Sequence, residues 1–260
     1  MDASIRRAIA ALTRGDDAAR HYDLAAQRIQ KALLAVEVPS IEGLEIGVHA
    51  ESARLVGGDT IDLFLHDGQT LVFAMGDASG KSLAAAMTAL MVRYLVRGLV
   101  RAIGVRDLGL LGHHINGVVS EDLDDDAFIT FLLGVYEPER RAFRVVNAGH
   151  EPPLVLRRDA TKVETLDAHG VVLGIQRNAA YPEAECRLGD GDIAILYTDG
   201  LTEATNDRGE LYTLARLQEQ IVELRDGSAQ EIADGIFDTV CTYSAGELRD
   251  DATILVLCAR

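Results

Sequence analysis

The spacing of apolar residues changes twice along this chain, and the changes divide it. Ile5, Ile9 and Leu12 stand four and three residues apart. After Gly15 the same spacing returns at Tyr22, Ala26, Ile29, Leu33 and Val36. That is the narrow seam of a coiled-coil-like helix, and Pro39 stops it. From Leu44 to Ala50 the period becomes two, as a half-buried strand requires. Residues 53–75 predict two strands joined by a hairpin turn at Asp67-Gly68. Gly57-Gly58, just ahead of Asp59, predicts a bulge that re-aims that aspartate. The run Leu71 to Met75 predicts a buried strand, residues 76–80 a tight loop, and Ser82 to about Leu99 a long apolar helix.

The alternation of elements continues to the end of the chain. Leu108 to Val119 predicts a second helix. The acidic run Glu121 to Asp126 lacks the ligand spacing of an EF-hand and predicts a solvated loop. Residues 128–136 and 141–149 form a hairpin around Glu137-Pro138-Glu139-Arg140, and residues 153–158 add a strand. Ile193 to Thr198 is a strand that meets Asp199-Gly200. Ser228 and Glu231 make a capping box for a helix reaching about Tyr243, and Asp250-Asp251 lead into a strand from Ala252 to Cys258. No repeat or linker interrupts the chain after residue 40. It divides into an N-terminal helical segment, residues 1–40, and one domain of antiparallel strands and long helices, residues 41–260.

Composition narrows the class. Hydrophobic residues make up 48% of the 260 and Trp is absent, so a full core must be aliphatic. The formal net charge of −16 disfavours nucleic acid and anionic membrane as partners. The longest apolar segment is interrupted by Arg93, Tyr94 and Arg97, which argues against a membrane span. The first residues lack the apolar core and cleavage site of a signal peptide. Cys186, Cys241 and Cys258 lie far apart with no CxxC, which fits a reducing cytoplasm and no zinc site.

The residues that can carry chemistry are aspartates at strand ends. The stretch Gly76 to Ser82, GDASGKS, resembles a phosphate-binding loop, but it is one residue short of G-x-x-x-x-G-K-[ST]. Asp77 would also place a negative charge among the amides that should meet phosphate. The other reading is a metal site. Asp59, Asp77, Asp199 and the Asp250-Asp251 pair each lie where a strand begins or ends, with no run of Lys or Arg nearby to neutralise them. Hard carboxylate oxygens of this kind suit Mg²⁺ or Mn²⁺. A pair of such ions can activate water and clamp a phosphoryl group.

Five stretches carry a resemblance: ARLVGGDTID, FAMGDASGKSLAAAM, FITFLLGVYEPERRAFRVVNAGHEPPLVL, LYTDGLTEATNDRGELY and DDATILVL. In that order they resemble the metal-dependent type-2C (PPM) protein phosphatases, and most of all the bacterial sporulation and stress-response serine phosphatases. The resemblance runs from about residue 24 to the end. It implies an α+β fold, a four-layer α-β-β-α sandwich of two antiparallel sheets flanked by helices. It also implies two divalent cations, Mn²⁺ or Mg²⁺. Asp77 would bridge both. Asp59 and the Ala78 carbonyl would complete one site, and Asp199 and Asp250 the other, Asp250 being preferred to Asp251. Arg54 stands where relatives bind phosphate. His150, in Asn147-Ala148-Gly149-His150, is either a turn residue or a general acid.

The function implied is a cytoplasmic protein serine/threonine phosphatase. It would attack phosphoserine or phosphothreonine directly with metal-activated water. The substrate implied is a phosphorylated anti-anti-sigma-type regulator, and an upstream activator protein is a second partner. A homodimer through residues 18–36 would provide control. Two alternatives remain: a phosphatase-fold module that only docks a signalling partner, and a P-loop NTPase.

Overall fold

A computed structural model of the chain describes residues 28, 34–53, 57–80, 83–123 and 127–260. The predicted seam from Ile5 to Leu33, together with Arg54, Lys81 and Ser82, lies outside the described residues. Among the described residues, ten strands and five helices follow from Leu44 onward. They are β1 (Leu44–Glu51), β2 (Asp59–His66), β3 (Thr70–Ala78), α1 (Leu83–Ile103), α2 (Leu108–Asp122), β4 (Ile129–Glu137), β5 (Ala142–Ala148) and β6 (Leu154–Leu156). The rest are β7 (Glu164–Thr165), β8 (Glu183–Arg187), β9 (Ile193–Tyr197), α3 (Asp199–Thr202), α4 (Thr213–Glu223), α5 (Ala229–Tyr243) and β10 (Ala252–Ala259).

The strands form two five-stranded sheets, one ordered β1-β10-β9-β6-β7 and the other β2-β3-β4-β5-β8. Every pairing within them is antiparallel. Three apolar cores explain the layering. Ile61, Phe73, Leu132 and Phe143 of one sheet meet Leu196, Leu255 and Leu257 of the other. Val72, Ala74, Leu133 and Val135, on the opposite face of the second sheet, pack under α1 and α2. Ile195, Ile254 and Val256, on the outer face of the first sheet, pack under α4 and α5. Each sheet is thus buried on both faces, which is why its strands read as near-continuous apolar runs. The four-layer sandwich implied by the resemblance is the fold observed.

Local chemistry accounts for the main elements. Asp67 and Gly68 both take positive φ, 54° and 72°, within the three residues 67–69 that join the paired His66 and Thr70, and the Gln69 amide donates to the His66 carbonyl at 3.3 Å. Ser228 accepts from the Glu231 amide while Glu231 accepts from the Ser228 amide, so the predicted capping box is present. Helix α1 buries Ala85, Ala86, Ala89, Val92, Val96 and Val100 against the sheet. By length and composition alone, α1 is also the one helix among the described residues that could cross a membrane. Two arginines set it into the fold instead. Arg97 makes two bonds to the buried Asp62 carboxylate, at 2.6 and 2.7 Å, and Arg93 reaches the same group at 3.1 Å.

Three expectations need correction. The segment after Met75 is not a loop: β3 continues through Gly76, Asp77 and Ala78, because its ladder with β4 is unbroken to Ala78–Ile129. No bulge occurs at Asp59: the β2–β3 register is regular from Asp59–Asp77 to His66–Thr70. The glycines before it are small for a different reason, given below. Glu121 and Asp122 belong to the last turn of α2 rather than to a loop. The sequence reading also missed β8, an exposed edge strand, and α4, although Leu214, Leu217, Ile221 and Val222 follow helical spacing.

Candidate metal centre

Alternation along the strands decides which side chains meet. On β2 and β3, Ile61, Leu63, Phe73 and Met75 point between the sheets. Two residues further along each strand, Asp59 and Asp77 share that face. On β9 and β10 the inward positions are Ala194, Leu196, Leu255 and Leu257. The same alternation carried to the strand ends brings Thr198 and Thr253 inward. The apolar layer between the sheets therefore ends, at one edge, in a polar cluster.

Asp59 is its centre. It is 2% exposed. Thr198 and Thr253 donate their hydroxyls to the same carboxylate oxygen, Oδ2, at 2.9 and 2.7 Å. Asp77 stands directly across the ladder. Burial, and then the Asp77 charge, push the Asp59 carboxyl well above the usual carboxylate range. The Thr253 hydroxyl pulls back, Asp251 adds to the rise, and the Thr198 hydroxyl pulls back again.

The glycines allow the strands to close on one another. A Cβ on Gly58 would collide with the Ala78 carbonyl oxygen and Asp77 Oδ1. A Cβ on Gly200 would collide with the Asp251 carbonyl, and one on Gly57 with the Asp251 carboxylate. Gly58 thus brings Asp59 against Asp77 and Ala78. Gly200 brings the Asp199 turn against the Asp250–Asp251 turn. Asp77, Asp199 and Asp250 are half-buried, with an open side.

The two members of the Asp250-Asp251 pair differ. Asp251 is 4% exposed. Its carboxylate accepts the Ser52 hydroxyl at 2.7 Å, the Ala53 amide at 3.0 Å and, at 3.5 Å, the Asp59 amide. It is committed to holding the β1–β2 connection. Asp250 accepts the Asp251 amide at 3.0 Å.

The donor set fits a hard divalent cation. Asp77 Oδ1 and the Ala78 carbonyl adjoin at Gly58, and the buried carboxylate of Asp59 faces Asp77 with no basic side chain of the described residues among its influences. A cation beside that pair would reverse the shift on Asp59. Among the described residues, no three His, Cys, Asp or Glu side chains stand close enough together to hold a metal ion by themselves. Mg²⁺ is ordinarily held by one or two carboxylates and keeps several waters, so an open edge of this kind is what it requires.

His150 sits behind the cluster. Its Nδ1 is 2.8 Å from the hydroxyl of Thr130, the residue paired with Asp77 on β4. Its Nε2 has no hydrogen-bond partner among the described residues. Burial lowers its pKa to about 4, against a smaller opposing effect of the Tyr197 backbone, so the ring is neutral near pH 7. Asn147 closes the turn from both sides, accepting the His150 amide at 2.7 Å and donating to its carbonyl at 2.8 Å. That geometry supports the turn role. Thr130, Thr198 and Thr253 escaped the sequence reading, and Asp251 was singled out there only as the less preferred ligand of its pair. The signal was there in the period-two count carried past the apolar run.

Two sheets closing on a carboxylate cluster, with helices on both outer faces, define a PP2C-type phosphatase fold. The model of the family described as Stage II sporulation protein E (SpoIIE) matches residues 67–260, and the chain belongs to that family. It is 32% identical over 232 residues to the phosphoserine phosphatase RsbU of Bacillus subtilis, covering 89% of this chain and 68% of RsbU. The structure of the RsbU and RsbW domains of Rv1364c from Mycobacterium tuberculosis superposes with a TM-score of 0.75 at 23% identity, covering 89% of this chain and 63% of that one. RsbX, solved in complex with magnesium, gives a TM-score of 0.63 at 16% identity, covering 86% of this chain and 99% of that one. At these identities the two structures establish the fold. Family membership places the chain in the protein serine/threonine phosphatase class, whose chemistry depends on divalent metal. The chain spans about two thirds of RsbU and of the Rv1364c chain.

Proposed function

We propose that the chain hydrolyses phosphoserine or phosphothreonine on a cytoplasmic regulatory protein, of anti-anti-sigma type, using two Mn²⁺ or Mg²⁺ ions. Asp59, Asp77 and the Ala78 carbonyl would hold one ion. Asp77, Asp199 and Asp250 would hold the other. The carrying observation is the pairing of Asp59 with Asp77 at the edge between the sheets, where the Asp199 and Asp250 turns also meet. When bound, the cations supply an activated water and a clamp for the phosphoryl group. The protein's own part is to hold four carboxylates at one open edge, on rigid strand ends, while the layer behind them excludes water.

The substrate class is supported by likeness to RsbU. Arg54 is assigned to phosphate binding on the family pattern, and lies outside the described residues. Residues 1–40 are assigned a regulatory and dimerising role on their apolar seam, and an activator protein is the source of the signal. The nucleotide-binding alternative loses its footing. The Ala78 amide donates to the Gly58 carbonyl at 3.2 Å and the Ser79 amide to the Phe128 carbonyl at 2.9 Å, so two amides a phosphate cradle would need are already spent.

The test is hydrolysis of p-nitrophenyl phosphate and of a phosphoserine peptide, with Mn²⁺, with Mg²⁺ and with EDTA. Metal-dependent turnover abolished by EDTA is expected. Turnover unchanged by EDTA would overturn the proposal. Metal binding without any hydrolysis would favour a docking module.

A further inference from the structure

Asp59 is held by residues of the opposite sheet. It begins β2, yet both hydroxyls on its carboxylate come from the β9–β10 pair. Thr198 and Thr253 are each fully buried. They are also tied to one another: the Thr198 amide donates to the Thr253 carbonyl at 3.0 Å, and the Thr253 amide donates to the Thr198 hydroxyl oxygen at 3.0 Å. That second bond fills an acceptor position of the Thr198 hydroxyl and turns its single proton toward an acceptor. Asp59 Oδ2 is the nearer one, at 2.9 Å, against 3.4 Å for the Asp251 carbonyl.

The consequence is geometric. Two donors on Oδ2 fix the plane of the carboxylate and leave Oδ1 for a cation. Thr198 immediately precedes Asp199, and Thr253 follows Asp250 by three residues. The clamp therefore joins the strand that carries one group of ligands to the two turns that carry the other.

We propose that Thr198 and Thr253 are positioning residues that orient the Asp59 carboxylate for metal and lock the two halves of the site in register. This rests on the metal assignment under Proposed function. Outer partners of metal-binding carboxylates typically change metal affinity 10- to 100-fold when removed.

The experiment is Mn²⁺ titration by isothermal calorimetry on the full chain, with thermal unfolding of the metal-free protein measured beside it. Thr253→Val and Thr198→Val keep the side-chain shape and remove the hydroxyl. Each is expected to weaken Mn²⁺ binding about 10- to 100-fold. Thr253→Ser and Thr198→Ser keep the hydroxyl and are expected to bind within about threefold of wild type. Val variants that unfold earlier yet bind Mn²⁺ with wild-type affinity would show a tie between sheets only, and overturn the proposal. Should a Val variant fail to fold, the Ser variants decide, since a tenfold loss of affinity with the hydroxyl retained overturns it equally. No Mn²⁺ binding by the wild type would instead sink the metal assignment itself.

Discussion

Asp59 and Asp77 face each other across the β2–β3 ladder, two carboxylates in direct register, one of them fully buried. Like charges opposed in this way destabilise a sheet, and burial compounds the cost. Replacing one by its amide should relieve that repulsion while removing a ligand. Asp77→Asn is expected to unfold later than wild type in EDTA, by about 2 °C or more, and to lose at least tenfold in hydrolysis with Mn²⁺. Thermal melts with and without metal, run beside the assay, check both. Activity within tenfold of wild type would remove Asp77 from the site.

The two members of the Asp250-Asp251 pair should fail differently. Asp251 accepts three donors from the β1–β2 connection, so Asp251→Ala leaves buried donors unpaired and is expected to cost about 3 kcal/mol of stability. Asp250→Ala is expected to fold with near wild-type stability and to lose metal binding. Denaturant unfolding and Mn²⁺ calorimetry on both variants separate these outcomes. The reverse pattern would exchange their roles.

His150 gives a pH signature of stability. Its pKa is about 4 in the fold and about 6.5 in an unfolded chain. Between those values the unfolded state binds more protons, so stability rises with pH across that window and is lost as pH falls through it. The wild type should lose about 3 kcal/mol more than His150→Asn between pH 7 and pH 4. Chemical denaturation at a series of pH values measures it. Equal slopes would mean that the ring is charged in the fold.

Gly200 is a contact residue by its smallness. A Cβ there meets the Asp251 main chain, which cannot swing aside as a side chain can. Gly200→Ala is expected to lower stability by about 1–3 kcal/mol and to weaken metal binding by parting the Asp199 and Asp250 turns. Gly117→Ala serves as the control: nothing stands within 4 Å of its Cβ, and Gly117 does not take the positive φ that an alanine would strain. A Gly200→Ala protein with unchanged Mn²⁺ affinity would show that the two turns act independently.

Lys81 is expected to play no part in nucleotide binding. Lys81→Ala should keep most of the hydrolytic activity, and calorimetry on the wild type should show no ATP binding. Micromolar ATP affinity lost in the variant would restore the NTPase reading.

The elements were legible where one local rule dominated. The Asp67-Gly68 turn, the capping box at Ser228 and the apolar stripe of α1 each depend on neighbours within a few residues, so the sequence by itself determined them. The aspartates too could be picked out, because a carboxylate beside a buried run is costly without a partner. Their grouping could not be derived from the residues, and only the resemblance supplied it. Asp59 lies 140 residues from Asp199, yet both stand at one edge because the two sheets pack face to face. The end of β3 was misread because Gly76 looks like a turn, when it is a close approach between strands: a Cβ there would press on the Thr130 carbonyl at 2.9 Å. Only the tertiary structure decided that Asp251 braces the chain and that Thr198 and Thr253 reach across to Asp59. Hydroxyls carry no sequence signal of their partners. A threonine reads the same whether it donates to water or to a carboxylate in the opposite sheet, and the choice is made by packing at a distance.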